Sequence, residues 1–335
     1  MRHRVVIIGA GNIAVSHLEA LRKMTRLEAV AVADVQEQRA SKLADEYGIH
    51  AYADYRAMIE QEKPDVAVIT LPHFLHKEAA VWCAEAGCHI LLEKPMALNA
   101  AECDEIIAAV KASQVRLLVG HTQHYLPENR KAAQLIRQGD LGELLMINDT
   151  RHMHYYRDSR PDWFLEQAKA GGGILTNLGS HSLDKIQWFG GAPIAKVRAS
   201  VSYFGPRGDV EGSGLVYLEN ENGLPATISQ SGYAVVPRNE TELVFTKGML
   251  KVLSGQSLWI SEGETYVQVP VEDQTDPFIL QFEDLIDHIE TGKPLACSME
   301  YSRSIVAAVD AIYASHANKT EWTVRSDGHA IHPAE

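Results

Sequence analysis

Four groups of residues in this sequence have the types and spacing to do chemistry. Gly9-Ala10-Gly11-Asn12-Ile13 follows an apolar run, Val5 to Ile8, and Asp34 closes the next one. Glu93-Lys94-Pro95 closes a later run, and Asn177 and His181 stand four apart just after Gly171-Gly172-Gly173. The first two groups suit a dinucleotide. Two glycines allow a tight turn and let backbone amides approach a pyrophosphate at a helix N-terminus, while Ala14 is small enough for helix-to-strand packing. Asp34 is spaced to accept a hydrogen bond from a ribose 2′-hydroxyl and to repel a 2′-phosphate, which favours NAD over NADP. Arg39 is the competing consideration, since an arginine near the same corner can pair with the extra phosphate; its solvated role on a helix is the favoured reading.

The other two groups suit proton transfer. Pro95 ends a strand's ladder, so Lys94 is presented at the carboxyl edge of a sheet, where ligands lie. A histidine titrates near neutrality, so His181 can take a proton there. Asn177 cannot exchange a proton, but its amide can donate to one substrate oxygen and accept from another hydroxyl. Helical spacing puts Asn177, His181 and Lys185 on one stripe with Asp184 beside it, opposite Leu175, Leu178, Ser182, Ile186 and Phe189. Asp184 is read either as fixing the second nitrogen of His181 or as a cap or ion pair within its own helix. Thr70, Pro72, His73 and His76 end the strand before Glu93; these, with Glu93 and Lys94, are expected on the cofactor side, His76 being read alternatively as satisfying a helix start. His121, His124, Tyr155 and Trp163 are candidates for contact with a substrate. His152 and His154 alternate on an expected strand, yet no cysteine or carboxylate completes a ligand spacing, so no metal is expected.

These residues need two kinds of scaffold. Over residues 1–122, β-branched runs at Val5 to Ile8, Ala29 to Ala33, Val66 to Thr70, Ile90 to Leu92 and Val115 to Val119 alternate with helical patterns. That is the pattern of a doubly wound parallel sheet, whose ligands sit beyond the carboxyl ends of its strands. Over residues 123–335, helical patterns at Pro127 to Gln138 and Gly173 to Phe189 precede alternating strands from Ala195 to Val269. Closing helices are expected at Pro277 to Glu290 and Glu300 to His316. The fold class is therefore α/β, with a second α/β domain carrying a large, mostly antiparallel open sheet.

The chain of 335 residues suits two domains. Its formal charge of −13 opposes nucleic acid and anionic membrane as partners. No run approaches the roughly 18 apolar residues of a membrane span. Four cysteines without a Cys-x-x-Cys spacing point to a reducing, cytoplasmic setting.

The motifs in this order resemble the Gfo/Idh/MocA oxidoreductase family, which includes glucose–fructose oxidoreductase and inositol dehydrogenases. The resemblance covers essentially the whole chain. It implies an N-terminal Rossmann domain, a C-terminal substrate-binding and oligomerisation domain, and NAD-linked oxidation of a hydroxyl on a sugar, sugar acid or cyclitol. Lys94 then corresponds to the family lysine that touches the reacting hydroxyl, and His181 to its acid/base histidine. Asn177 stands where the family carries an acid, and His124 lies near a position that often holds arginine. Two other activities occur among such proteins: glycoside cleavage through transient redox by NAD, and non-catalytic dinucleotide sensing. An open sheet face suits a subunit interface, so a homodimer or homotetramer is expected.

Overall fold

The computed structural model describes residues 2–324; Met1 and residues 325–335, which the expected domains include, lie outside the described residues. The chain forms two compact units. Among the described residues, the first gathers 2–97, 102–122 and 275–302, and the second holds 98–101, 123–274 and 303–324.

In the first unit, β1 (His3–Ile8), β2 (Leu27–Ala33), β3 (His50–Tyr52), β4 (Val66–Ile69), β5 (His89–Leu92) and β6 (Leu117–Val119) form a six-stranded sheet. Its order is β3-β2-β1-β4-β5-β6, and every pair is parallel. Helices α1 (Asn12–Lys23), α2 (Glu37–Tyr47), α3 (Tyr55–Glu62), α4 (His76–Glu85) and α5 (Ala100–Ala112) connect the strands. All of β4 and the last three residues of β5 are buried, as strands covered on both faces require. The strand order reverses between β1 and β4, so the ligand crevice of such a sheet opens beyond Ile8 and Ile69. The sequence reading missed β3, a three-residue edge strand with no buried position and no apolar run.

The second unit carries α6 (Pro127–Gln138), β7 (Leu144–His152), the one-turn α7 (Gln167–Ala170) and α8 (Ser180–Gly190). Seven strands follow: β8 (Ile194–Ser202), β9 (Ser213–Asn220), β10 (Pro225–Ser231), β11 (Arg238–Phe245), β12 (Gly248–Leu253), β13 (Ser257–Glu262) and β14 (Thr265–Val269). After α9 (Pro277–Thr291) and α10 (Met299–Asn318), the short β15 (Trp322–Thr323) completes a nine-stranded sheet ordered β14-β13-β12-β11-β7-β10-β9-β8-β15. Only β10 and β7 pair in parallel. Strand β7, which precedes the region expected to form the sheet, lies at its centre between β11 and β10. It ends at His152, so the expected strand alternation does not reach His154.

Two expectations change here. A single cut after residue 122 does not describe the units, because α9 returns to the first one: its Phe282, Leu285 and Ile286 are buried with Val5, Ile7, Leu18, Val68 and Leu91. Burying side chains of this kind contributes about 1.5–3 kcal/mol each, which holds the segment there. The helix expected over 173–189 is also interrupted. Leu175–Gly179 is a π-helical turn, and the α-helix begins only at Ser180. Its polar stripe is not a surface, since α8 packs on β7 and Asn177, His181, Asp184 and Lys185 are all buried. Among the described residues, no helix is long and apolar enough to cross a membrane.

Candidate functional site

The loop after β1 is built for a close approach. Gly9 has φ +101°, and a Cβ there would lie 2.9 Å from the Thr70 carbonyl oxygen, so glycine is required. Its amide donates to the Ala33 carbonyl at 2.7 Å, and the Thr70 hydroxyl lies 2.8 Å from the Gly9 carbonyl it can donate to. Asp34 ties the same loop down: its carboxylate accepts from the Ala10 amide and from the Gln36 amide, each at 2.8 Å. Helix α1 then starts at Asn12 with no side-chain cap on its first turn and no acidic residue in it. Nothing lies within 4 Å of where a Gly11 Cβ would be. An uncapped helix start beside open space offers unpaired amides and a positive dipole end, which fits a pyrophosphate. Asn12 is exposed and Ile13 half-buried at that opening.

A pocket of about 390 Å³ adjoins Asp34, lined by Val35, Asp54, Tyr55, Arg56, Leu71 and Leu75 among others. Its size falls within the roughly 300–1,000 Å³ of small-molecule sites. The mixture of apolar walls and a few polar groups suits the adenosine end of a dinucleotide.

The loop after β5 holds Lys94, half-buried, beside a buried Glu93, and the Lys94–Pro95 peptide is cis. Glu93 Oε1 lies 2.9 Å from Nε2 of His17, a fully buried residue of α1. Burial pushes the Glu93 carboxyl up, but the hydrogen bond and charge of His17, with Lys94 and His76, bring it below the usual carboxylate range. The Lys94 loop is thereby fastened to the helix whose start suits the pyrophosphate.

His76 was expected against the cofactor, and its surroundings correct this. It is fully buried, with Nδ1 2.8 Å from the Pro95 carbonyl and Nε2 2.8 Å from the Leu71 carbonyl. The ring spans the ends of two strands as a clamp, with neither nitrogen available to a ligand. Burial lowers its pKa against the opposing pull of the two carbonyls. His73 is buried edge-on to His76, with ring centroids 5.7 Å apart, in the short turn that follows Pro72. His121 is buried edge-on to Tyr301 at 6.2 Å.

In the second unit, Glu211 sets the start of the segment bearing Asn177 and His181. Its buried carboxylate accepts from the Gly173 amide at 2.7 Å and the Leu175 amide at 2.8 Å, while burial pushes its pKa up. The Asn177 amide nitrogen lies 3.4 Å from the hydroxyl of Tyr155. Tyr155 was expected to wall a substrate; it is fully buried under the Arg160 guanidinium, 3.8 Å from the ring centroid, and supports Asn177 instead. Trp163 stacks on Phe164 at 3.7 Å and stays partly exposed. His124 is buried against Trp188, with ring centroids 4.1 Å apart, and its Nε2 lies 2.7 Å from Asp184 Oδ1. Asp184 therefore orients His124, a partner the sequence reading did not weigh for it.

Lys185 makes the deepest contact of α8. Its Nζ lies 2.7 Å from Asp149 Oδ2 and is hydrogen-bonded to Thr241 and, at 3.2 Å, to Ser254. The sequence reading missed Asp149, Glu211 and the role of His17. Asp149 had a readable signal, because it shares the inward face of β7 with Ile147, two residues away, where an acid requires a buried partner.

Residues 3–121 match the family model described as "Oxidoreductase family, NAD-binding Rossmann fold", and residues 129–251 match the "GFO/IDH/MocA C-terminal domain". Myo-inositol 2-dehydrogenase of Thermotoga maritima is 26% identical over 311 residues, covering 89% of this chain and 91% of the relative. D-xylose 1-dehydrogenase (NADP(+)) 2 of Haloferax volcanii is 26% identical over 320 residues, covering 92% and 96%. Levoglucosan dehydrogenase, solved with NADH and levoglucosan, superposes with a TM-score of 0.89 at 21% identity over 97% of this chain and 100% of that one, a likeness of fold.

Proposed function

The chain belongs to the Gfo/Idh/MocA oxidoreductase family, and we propose that it is an NAD-dependent dehydrogenase acting on a secondary hydroxyl of a sugar, sugar acid or cyclitol. One observation carries this reading: the buried His17–Glu93 contact makes the Lys94 loop and the uncapped start of α1 parts of one fixed arrangement. The names of the relatives, which act on inositol and xylose, supply the substrate class.

NAD, when bound, supplies the hydride acceptor. Gly9, Gly11, Asn12 and Ile13 cradle its pyrophosphate, Asp34 takes the adenosine ribose, and Thr70, Pro72 and His73 border it. His76 and Glu93 hold the neighbouring loops in place. His181 takes the hydroxyl proton as hydride leaves the same carbon, and Lys94 stabilises the developing alkoxide. Asn177 orients the substrate through its amide, with His121, His124 and Trp163 as further binding groups. Tyr155 acts through Asn177.

Four buried cysteines outside any disulfide favour a cytoplasmic setting. Strand β9 exposes Leu215 (64%) and Tyr217 (42%) on its outward face, which supports a homodimer or homotetramer formed through the large sheet. The test is a screen of inositols, pentoses and anhydrosugars with NAD, followed by reduced-nicotinamide absorbance. Net NADH formation with at least one of them is expected, and glycoside cleavage without it overturns the reading. In the active pair, His181→Ala is expected to lower kcat about 10²- to 10⁴-fold. Unaltered turnover removes His181 from the reaction.

A further inference from the structure

Relatives of this chain include an enzyme named for NADP and a structural neighbour solved with NADH, so the fold by itself does not choose between them. The choice falls to side chains around the adenosine ribose. Asp34 is one, but its carboxylate also holds the Ala10 and Gln36 amides, so it cannot be altered without disturbing the loop. The adjoining pocket contains a second set of charges. Among the residues lining it, Arg56 is the cation, and Asp54 and Glu78 are the acids.

Arg56 is held on both sides. Its guanidinium is hydrogen-bonded and ion-paired to Glu78, and it lies over the Trp82 ring, 4.9 Å from the centroid. Both members of the pair are partly exposed, 42% for Arg56 and 60% for Glu78, so the guanidinium has room to swing. A 2′-phosphate on the ribose that Asp34 would hold brings close to two negative charges beside a pocket whose lining holds Asp54 and Glu78 against one arginine. An arginine free of its carboxylate is the side chain best shaped to grip such a phosphate in bidentate fashion.

We propose that Arg56 and Glu78 form a second selector of cofactor, in which Glu78 keeps Arg56 engaged and so excludes a 2′-phosphorylated dinucleotide. This rests on the NAD reading above. An exposed ion pair contributes little, so the selector is light and easily reversed.

The test is equilibrium binding, independent of any sugar substrate. The full-length protein and its Glu78→Gln, Arg56→Ala and double variants are titrated with NADH and NADPH, followed by cofactor fluorescence. Glu78→Gln is expected to shift the NADPH-to-NADH affinity ratio toward NADPH about five- to tenfold, and the double variant is expected to lose that gain. The ratio is taken on one sample, so a fraction of misfolded protein cancels. An unchanged ratio in Glu78→Gln, or a gain that survives in the double variant, overturns the selector. Failure of the unaltered protein to bind NADH overturns the cofactor reading itself.

Discussion

The first loop and the surroundings of α8 fix their polar residues by different means. Around the first loop the work is done by backbone: Gly9 and Ala10 donate to Ala33 and Asp34, and α1 begins uncapped beside open space. Around α8 it is done by polar side chains taken out of water, with Lys185 on Asp149, His124 facing Asp184, and Glu211 accepting from the amides that open the π turn. A backbone cradle costs little to desolvate and presents the same dipoles at every pH. A buried charge must be paired, and its partner becomes indispensable. Rigidity in the first region therefore comes from conformation, and in the second from electrostatics.

The sharpest break in this contrast is at Lys185. Lys185→Ala leaves Asp149 buried without its cation and is expected to cost about 3–5 kcal/mol, read from denaturant midpoints. Lys185→Met combined with Asp149→Leu should recover most of that loss, since the penalty belongs to the unpaired charge. A double variant as unstable as the single one would show that packing, and not charge, governs this region. The matching change in the first unit is Gly9→Ala, which forces a Cβ against the Thr70 carbonyl at positive φ. Its expected cost is about 1–3 kcal/mol, with cofactor affinity falling alongside, measured by thermal melting and NADH titration.

A smaller effect separates the units by pH. Asp310 of α10 accepts the Ala100 amide at 3.0 Å, and burial pushes its carboxyl up to about 6. A raised carboxyl binds its proton more tightly when folded, so its stabilising contribution is full below the ordinary aspartate range and is lost as pH rises through about 6. Asp310→Asn should flatten that step in a melting series, by about 1–2 kcal/mol at most. Glu93 runs the other way: its lowered pKa gives stability present above the usual glutamate range and lost as pH falls below it.

The same contrast explains what could be read from the residues alone. Gly9 and Asp34 were legible as residues of the loop because the backbone groups they bond, Ala33, Ala10 and Gln36, lie in or beside one βαβ unit, at spacings set by local geometry. The parallel strands were legible because burial on both faces leaves continuous apolar runs. The buried pairing of Lys185 was not legible because its partners Asp149, Thr241 and Ser254 come from three separate stretches of the chain, which helical periodicity does not register. The same distance hid Glu211 from the glycine run it caps. His76 was assigned to a ligand because its position at a strand end says nothing about the two carbonyls that occupy it.

The π turn at Leu175–Gly179 has one more consequence. A π-helical turn holds one residue beyond what an α-helix would place there. Taking that residue out would let the segment close into regular α-helix and turn everything before it by about 100° relative to His181. The direction in which Asn177 faces is thus set by a count of residues as much as by their identity, and an insertion or deletion a single codon long could re-aim that amide while leaving every named side chain in place.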